Sequence, residues 1–356
     1  MNYRKISSPL RLNRLGKSGI MVTELGFGGI PIMRLNVEDA KLVIKHCFEL
    51  GIRFFDTAHI YGDSEEKLGK ALEPFRDQVI IATKVWAKDG KGAAAQLAMS
   101  LDRLRTNRID LIQCHNISKQ EDLEKVMGPG GAYEALAEAK AKGEVRAIGF
   151  SSHNPDIAAK GCRLGKFATI QFPFNFIEND PLEKVFPAAL EQGMGIIAMK
   201  PLGGGLLERA DLCFRFLQEH PEVVPIPGTQ SMDEIGEIIS FYRDRKPLSR
   251  DDWEKIQEIR SDLGTRFCHR CEYCMPCEQG VQIPGVLMVK TQVRRFGYKQ
   301  VVAMAKDKIA TVENCIECGE CVERCPYGLP IPDMLQESLE IYQRFLSKQG
   351  PGSSLI

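Results

Sequence analysis

No run in this 356-residue chain approaches the roughly 18 consecutive apolar residues that a membrane-spanning helix needs. The residues after Met1 (Asn2, Tyr3, Arg4, Lys5) lead into no apolar segment of a secretory leader. A cytoplasmic protein with no membrane partner is therefore expected. An excess of charge is missing too, because 47 Lys and Arg stand against 47 Asp and Glu. A neutral chain gives no reason to expect nucleic acid or an anionic bilayer as partner. No Gly-x-Gly-x-x-Gly follows the first apolar run, which argues against a Rossmann unit. Cysteine is sparse before residue 268: Cys47, Cys114, Cys162 and Cys213 stand singly and read as small buried hydrophobes.

The remaining eight of the twelve cysteines are crowded between Cys268 and Cys325. The first run is Cys268-x2-Cys271-x2-Cys274-x2-Cys277; the second is Cys315-x2-Cys318-x2-Cys321-x3-Cys325, followed by Pro326. The second spacing is the one bacterial ferredoxins use to hold [4Fe–4S] clusters, and eight thiolates match two such clusters. Disulfides belong to oxidising compartments, and zinc usually takes two Cys pairs, or Cys with His, in a tetrahedron. Four cysteines at three-residue intervals fit both alternatives less well. In two-cluster ferredoxins the fourth cysteine of each run crosses to the other cluster. By that rule Cys268, Cys271 and Cys274 join Cys325, while Cys315, Cys318 and Cys321 join Cys277. The first run departs from the pattern in its last gap, and Glu278 stands where proline is usual. Storage or passage of single electrons is the expected role.

The cysteine density also divides the chain. Residues 1–264 are expected to form a larger domain and 265–345 a small, ferredoxin-like, mostly helical cluster domain, in which clusters replace part of a core. A flexible tail is expected over 346–356. Within the larger domain, short apolar runs occupy 24–29, 52–58, 79–85, 109–115, 145–151, 168–174, 195–201 and 223–228. Near-continuous apolarity suits strands buried on both faces of a parallel sheet. Amphipathic helices lie between them. One starts after Asn36 as N-cap, places Ala40, Val43, Ile44, Cys47 and Phe48 on one stripe, and ends at Gly51; others cover 93–104 and 132–143. Eight strands with intervening helices is the count of a (β/α)8 TIM barrel, with a doubly wound open sheet as the alternative.

Barrel chemistry sits at the C-terminal ends of the strands. There the second run ends in Asp56 with Tyr61 close behind, the third at Lys84 and the fourth at His115. Singly, each has an ordinary structural explanation. Together they describe a proton-donor site: a lysine depresses a neighbouring phenol, a carboxylate holds the lysine, and an imidazole orients the substrate.

These residues bring the chain close to a known family. The segments GIRFFDTAHIYGDSEEKLGKAL (51–72), IATKVW (81–86), DLIQCHN (110–116), VRAIGFSSHN (145–154), IQFPFNF (170–176) and PIPGTQS (225–231) resemble the aldo-keto reductases. The cysteine-rich end resembles the ferredoxin-like appendage of their iron–sulfur branch. The resemblance implies that Tyr61 protonates a carbonyl oxygen as hydride arrives from NAD(P)H, that Lys84 and Asp56 tune it, and that His115 positions an aldehyde or ketone. It implies that Ser151 and Gln171 hold the nicotinamide carboxamide, with His153 and Asn154 adjacent. Met199 stands in the segment where the family stacks an aromatic ring. Gly228 and Glu234 occupy positions where members preferring NADPH carry cations for the 2′-phosphate. A carboxylate repels a phosphate, which leaves NADH, NADPH and another redox partner open. Thr229, Ser231 and Glu237 are polar candidates for the adenosine end.

Glycines over 201–207 and 226–231 follow strands seven and eight, where barrels commonly bind phosphate; they suit a nicotinamide or a flavin nucleotide, though no distinctive flavin motif is present. Hydride carries two electrons and a [4Fe–4S] cluster one. Three functions follow: a carbonyl reductase with clusters as a structural or electron-passing module, an enzyme fed through the clusters by ferredoxin or another redox protein, and a non-enzymatic redox-sensing module. Between the cysteine runs, Val286, Met288, Val289, Val293, Phe296, Val301, Val302, Met304 and Ile309 form an expected apolar helical face. Lys290, Arg294, Arg295, Lys299, Lys306 and Lys308 give that segment a basic surface suited to solvent or to an acidic ferredoxin.

Overall fold

A computed structural model describes residues 9–347 apart from 265, 271, 297 and 326, without the side chains of 264, 291, 294–296 and 299. The chain divides into two compact units, residues 1–203 with 209–248, and residues 204–208 with 249–356. The boundary expected at 264 falls at the end of a helix that this division assigns to the second unit. Among the described residues no helix is long and apolar enough to cross a membrane.

The first unit is built on eight parallel strands in sequence order: β1 (Phe27–Gly28), β2 (Phe54–Asp56), β3 (Ile80–Val85), β4 (Ile109–Cys114), β5 (Val145–Ser151), β6 (Thr169–Pro173), β7 (Gly195–Met199) and β8 (Val223–Pro225). Gly26 and Gly28 donate their N–H groups to the carbonyls of Pro225 (2.9 Å) and Pro227 (2.8 Å), so the last strand returns to the first. Every residue of β3 and β4 is buried, as the unbroken apolar runs require.

The helices form a ring outside. They are α1 (Val37–Glu49), α2 (Ser64–Leu72), α3 (Gly90–Arg103), α4 (Gln120–Met127), α5 (Ala132–Ala141), α6 (Pro155–Arg163), α7 (Val185–Glu191), α8 (Ala210–Gln218) and α9 (Met232–Arg243). α1 packs on α2, α2 on α3, α3 on α5, and α9 returns to α1. The start of α1 follows from its sequence: the Asn36 side chain accepts the Asp39 N–H, and Ala40, Val43, Ile44, Cys47 and Phe48 are its buried stripe.

The barrel interior is filled by side chains that step along each strand by two. Phe54, Ile80, Ala82, Leu111, Ala147, Ile197, Val224 and Ile226 share one core with Leu15, Ile20 and Val22 of a hairpin (Leu12–Arg14 with Met21–Thr23). The hairpin turn pairs Gly16 with Met194, just before β7, and so closes the N-terminal end. Only glycine fits there, because φ is +54° and a Cβ would lie 2.2 Å from the Gly195 nitrogen.

The second unit contains α10 (Arg250–Gly264), α11 (Ile283–Leu287), α12 (Val289–Phe296), α13 (Tyr298–Ala310), α14 (Glu320–Glu323) and α15 (Ile331–Ser347). α15 packs on α11, α12 and α13, and its Tyr342 hydroxyl donates to the Val302 carbonyl at 3.0 Å. The apolar face is Val286, Val289, Val301, Ala305 and Ile309. Met304 departs from expectation and is 52% exposed, since the i, i+4, i+8 row Val301–Ala305–Ile309 takes the core side of α13. Of the basic residues, Lys290 and Lys306 are exposed and Lys308 is half-buried; the side chains of Arg294, Arg295 and Lys299 lie outside those described. So does the expected tail from residue 348 onward, Leu346 and Ser347 being the end of α15.

Candidate active site and cysteine sites

The two-residue step that places Phe54, Ala82 and Leu111 in the apolar layer places Asp56, Lys84 and Gln113 one layer nearer the C-terminal rim. Lys84 Nζ donates to Asp56 Oδ1 at 2.5 Å and to the Thr57 carbonyl at 2.7 Å. Gln113 Nε2 reaches Asp56 Oδ2 at 3.3 Å and Gln171 Oε1 at 2.8 Å. All four side chains are buried. Tyr61 arrives on the turn between β2 and α2, its N–H donating to the Ala58 carbonyl and its carbonyl accepting from the Ser64 N–H. The Lys84 ammonium lies 5.2 Å from the Tyr61 ring centroid. The His115 ring meets Tyr61 edge-on at 5.7 Å, and Trp86 closes on it at 5.3 Å. Thus Asp56, Tyr61, Lys84 and His115 form one cluster.

Burial pushes the Asp56 carboxyl above its usual range, while Lys84 and donors from Gln171 and Gln113 draw it back. Burial, with the ammonium groups of Lys84 and Lys88, holds the His115 imidazole well below its ordinary value, so it is uncharged at neutral pH. Two buried atoms beside the pair, His115 Nδ1 and Gln113 Oε1, have no hydrogen-bond partner among the described residues. Unpaired buried polar atoms are rare, and their position here fits a site completed by ligand or water.

The uncharged His115 carries a prediction. Its folded pKa is lowered, so its contribution to stability is full above the unfolded value of about 6.5 and is lost as pH falls below it. His59 and His220, also lowered by burial, share this slope. Thermal unfolding should therefore shift downward from pH 7.5 to 5.5, and His115→Asn should flatten the dependence. An unchanged slope in His115→Asn would mean that folding does not lower the pKa of this imidazole.

Ser151 and Gln171 are register neighbours on β5 and β6. The Ser151 hydroxyl accepts the Asn116 N–H at 2.9 Å, and the Gln171 side chain is engaged by Gln113. Met199 ends β7, half-buried, its carbonyl accepting from Phe174. Gly228 sits at the closing seam beside Gly28, where a Cβ would meet the Pro31 ring at 2.7 Å. Thr229 is buried, its hydroxyl without a hydrogen-bond partner among the described residues, and burial pushes the nearby Cys47 thiol of α1 up to about 12. Ser231 and Glu234 form a capping box on α9: Ser231 Oγ accepts the Glu234 N–H, and Glu234 Oε2 accepts from Gln230 and Ser231. Glu237 is exposed one turn on. Asn154 caps α6, and His153 Nδ1 lies 3.4 Å from Lys200 Nζ. Gln113, Trp86 and Lys88 are the rim residues that sequence reasoning missed. Period two counted back from His115 and forward from Lys84 marks the first two.

In the second unit Cys277, Cys315, Cys318 and Cys321 line one cavity of about 130 Å³, walled by Val281, Ile283 and Leu335. Burial raises the Cys321 thiol, and the neighbouring Cys315, Cys318 and Cys277 raise it further. Arg324 ties the two runs together, donating to the Pro276 carbonyl at 3.0 Å and to the Glu320 carbonyl at 3.3 Å. The His269 ring stacks on Tyr327 at 3.7 Å, linking the surroundings of Cys268 and Cys325. Cys268, Cys274 and Cys325 pack in the same helical core; Cys271 lies outside the described residues. Left-handed residues recur two and four positions after the first cysteine of each run, at Arg270 and Glu272 and at Glu317 and Gly319. The two runs therefore curl alike, although their last gaps differ. No described cysteine is in a disulfide. Four thiols around a cavity whose wall mixes aliphatic residues with Glu278, Glu317, Glu320 and Arg324 suit an iron–sulfur cluster, whose sulfur ligands are softer donors than a carboxylate or carbonyl site offers.

A closed parallel barrel with a polar, partly unsatisfied rim and an appended cysteine module defines a redox enzyme of the TIM-barrel class. Residues 24–212 match the aldo/keto reductase family and residues 267–330 a 4Fe-4S dicluster domain. The chain belongs to the aldo/keto reductase family. It is 30% identical over 219 residues to the uncharacterized oxidoreductase YqkF of Bacillus subtilis (strain 168), covering 57% of this chain and 68% of that one. It is 30% identical over 217 residues to L-galactose dehydrogenase of Arabidopsis thaliana, covering 56% and 67%. The holo form of aldo-keto reductase AKR11C1 from Bacillus halodurans superposes with a TM-score of 0.61 at 25% identity, over 70% of this chain and 96% of that one. Aldo-keto reductase str7 of Strobilurus tenacellus, 31% identical over 220 residues, is spanned over 63% of its length.

Proposed function

We propose that the barrel reduces an aldehyde or ketone with NAD(P)H, Tyr61 acting as general acid. The observation that carries this reading is the Lys84 ammonium, fixed by Asp56 and lying 5.2 Å from the Tyr61 ring, beside an uncharged His115. A bound nicotinamide supplies the hydride. Tyr61 gives its phenolic proton to the carbonyl oxygen, and the alcohol leaves with one hydride and one proton added. Lys84 stabilises the phenolate that remains, and Asp56 keeps the ammonium in place. His115 donates a hydrogen bond to the same oxygen. Ser151, Gln171 and Met199 border the nicotinamide end, with Gly228, Thr229, Ser231 and Glu237 toward the adenosine. Glu234, held by its capping box, gives no preference for a 2′-phosphate.

The cysteine module holds two [4Fe–4S] clusters in the crossed arrangement, Cys277 with Cys315, Cys318 and Cys321, and Cys325 with Cys268, Cys271 and Cys274. Such clusters exchange one electron at a time. Exposure of Cys318 at its cavity favours a second reading, in which a ferredoxin or another redox protein exchanges electrons there. A cytoplasmic location suits both readings, since clusters and thiols persist under reducing conditions.

Tyr61→Phe tests the first reading. Loss of a general acid lowers kcat by about 10²- to 10⁴-fold, and nucleotide affinity should stay within about twofold. Aldehyde reduction by Tyr61→Phe as fast as by wild type would falsify the assignment of the acid.

A further inference from the structure

Lys88 does not belong to the four residues on which the proposed reaction rests, yet it is bound to one of them. It lies on the loop after β3, half-buried, and Nζ donates to the carbonyl of His115 and, at 3.3 Å, to that of Asn116. The turn it holds is strained: Asn116 has φ +53°, a left-handed conformation uncommon outside glycine. Other bonds brace the same turn. The His115 N–H donates to the Val85 carbonyl and the Asn116 N–H to Ser151 Oγ, both at 2.9 Å, and Ser118 Oγ reaches Asn116 Oδ1 at 2.7 Å.

The loop that carries Lys88 is itself anchored. Gln96 of α3 accepts the Trp86 and Ala87 N–H groups at 2.7 and 3.0 Å, and the Lys88 carbonyl accepts from Ala132 at 2.9 Å. An ammonium so held is a positive charge near His115, whose other neighbours are Lys84, with its partner Asp56, and the Tyr61 ring. Facing Lys88 are Asp122 of α4, Cys114 of β4 and the Trp86 ring at 5.2 Å.

We propose that Lys88 is a positioning residue: it fixes the turn that aims His115 at the substrate oxygen and sets a second ammonium, besides that of Lys84, near the imidazole. The inference rests on the reading of His115 as the group that orients the carbonyl. A lysine serving only to satisfy two carbonyls would hold the turn equally well without its charge. The two roles are therefore separable.

The test is a titration of His115 by NMR in the full chain with histidine labelled, the signal assigned with His115→Asn. In Lys88→Met the midpoint should rise by on the order of one pH unit, and in Lys88→Arg, which keeps the charge, it should stay with wild type. Lys88→Gln, which can donate to the carbonyls but carries no charge, should shift with Lys88→Met and decides the matter should the methionine variant not fold. With 4-nitrobenzaldehyde and NADH, Lys88→Met and Lys88→Gln should lose roughly 10- to 100-fold in kcat/KM, with the acid limb of the pH profile moved upward and nucleotide affinity unchanged. A midpoint unmoved in both uncharged variants, or moved as far in Lys88→Arg, overturns the proposal. The titration needs no turnover, so failure to reduce any carbonyl bears on the proposed reaction and an unmoved midpoint on Lys88.

Discussion

Lys84→Met is expected to cost about 3–5 kcal/mol of stability, because removing one partner of a buried ion pair strands the other charge. Lys84 and Asp56 are 1% and 3% exposed at their side chains. The loss should also change how stability depends on pH. Burial already pushes the Asp56 carboxyl up, and Lys84 opposes that shift. Without the ammonium, Asp56 takes a proton in the folded state at a pH where the unfolded carboxyl is ionised. A folded pKa raised above the unfolded value of about 3.9 gives stability at low pH that is lost as pH rises through the folded pKa. Lys84→Met should therefore be nearest to wild type near pH 5 and weakest near pH 8.

The double variant Asp56→Asn/Lys84→Met removes both charges and should recover part of the loss, since neighbouring sites are not additive. Activity should not recover, and kcat should stay at least about 10²-fold down in both variants. Denaturant unfolding at pH 5 and 8 measures the effect. Lys84→Met within about 1 kcal/mol of wild type at both values would show that the pair contributes little.

Serine at Cys277 should have the same consequence as serine at Cys315 and a different one from serine at Cys274. Cys277 and Cys315 share one cavity although 38 positions of chain separate them, and the Arg324 bridge to Pro276 holds the first run's last cysteine there. Cys274 is only three positions from Cys277 but is not among the residues lining that cavity. If ligation is crossed, Cys277→Ser and Cys315→Ser each lose the same cluster, and iron falls from about eight to about four per chain. Cys274→Ser loses the other cluster and leaves a different EPR signal. Iron and sulfide quantitation with EPR of dithionite-reduced protein separates the outcomes. A Cys277→Ser spectrum that matches Cys274→Ser would establish uncrossed ligation.

Much of this was legible in the chain. Buried parallel strands announce themselves as unbroken apolar runs, and all eight appear where those runs lie. The stripe Ala40–Phe48 and the Asn36 cap define α1 because both signals act within one helical turn. Asp56, Lys84 and His115 could be placed at a common rim because each stands at or within one residue of the C-terminal end of its strand. Glu234 shows the limit. Three residues after Ser231 it completes a capping box whose spacing is readable locally; its meaning for a phosphate depends on what approaches α9 from elsewhere.

Gln113 could be placed at that rim by period two, but its partners could not. Its partners Asp56 and Gln171 lie 57 and 58 positions away, and only closing the sheet brings them within hydrogen-bond distance. Lys88 reads as one more surface lysine until the loop folds its ammonium onto the carbonyls of His115 and Asn116. The cysteine runs differ in spacing, yet their left-handed residues fall at matching positions, a likeness of backbone rather than of sequence.

By itself the sequence determined the periodic and local features: which strands are buried, where helices begin, which residue types stand at the rim, and how many thiolates are available. Those depend on contacts between neighbours in the chain, whose geometry bond lengths and helix or strand repeats prescribe. The tertiary structure decided the pairing of distant groups, some of which the sequence raised only as expectations: that Asp56 holds Lys84, what charge surrounds His115, and that Cys277 shares a cavity with Cys315, Cys318 and Cys321. Burial supplies the reason, since taking a charged or polar group out of water makes its state depend on the few groups that folding brings beside it.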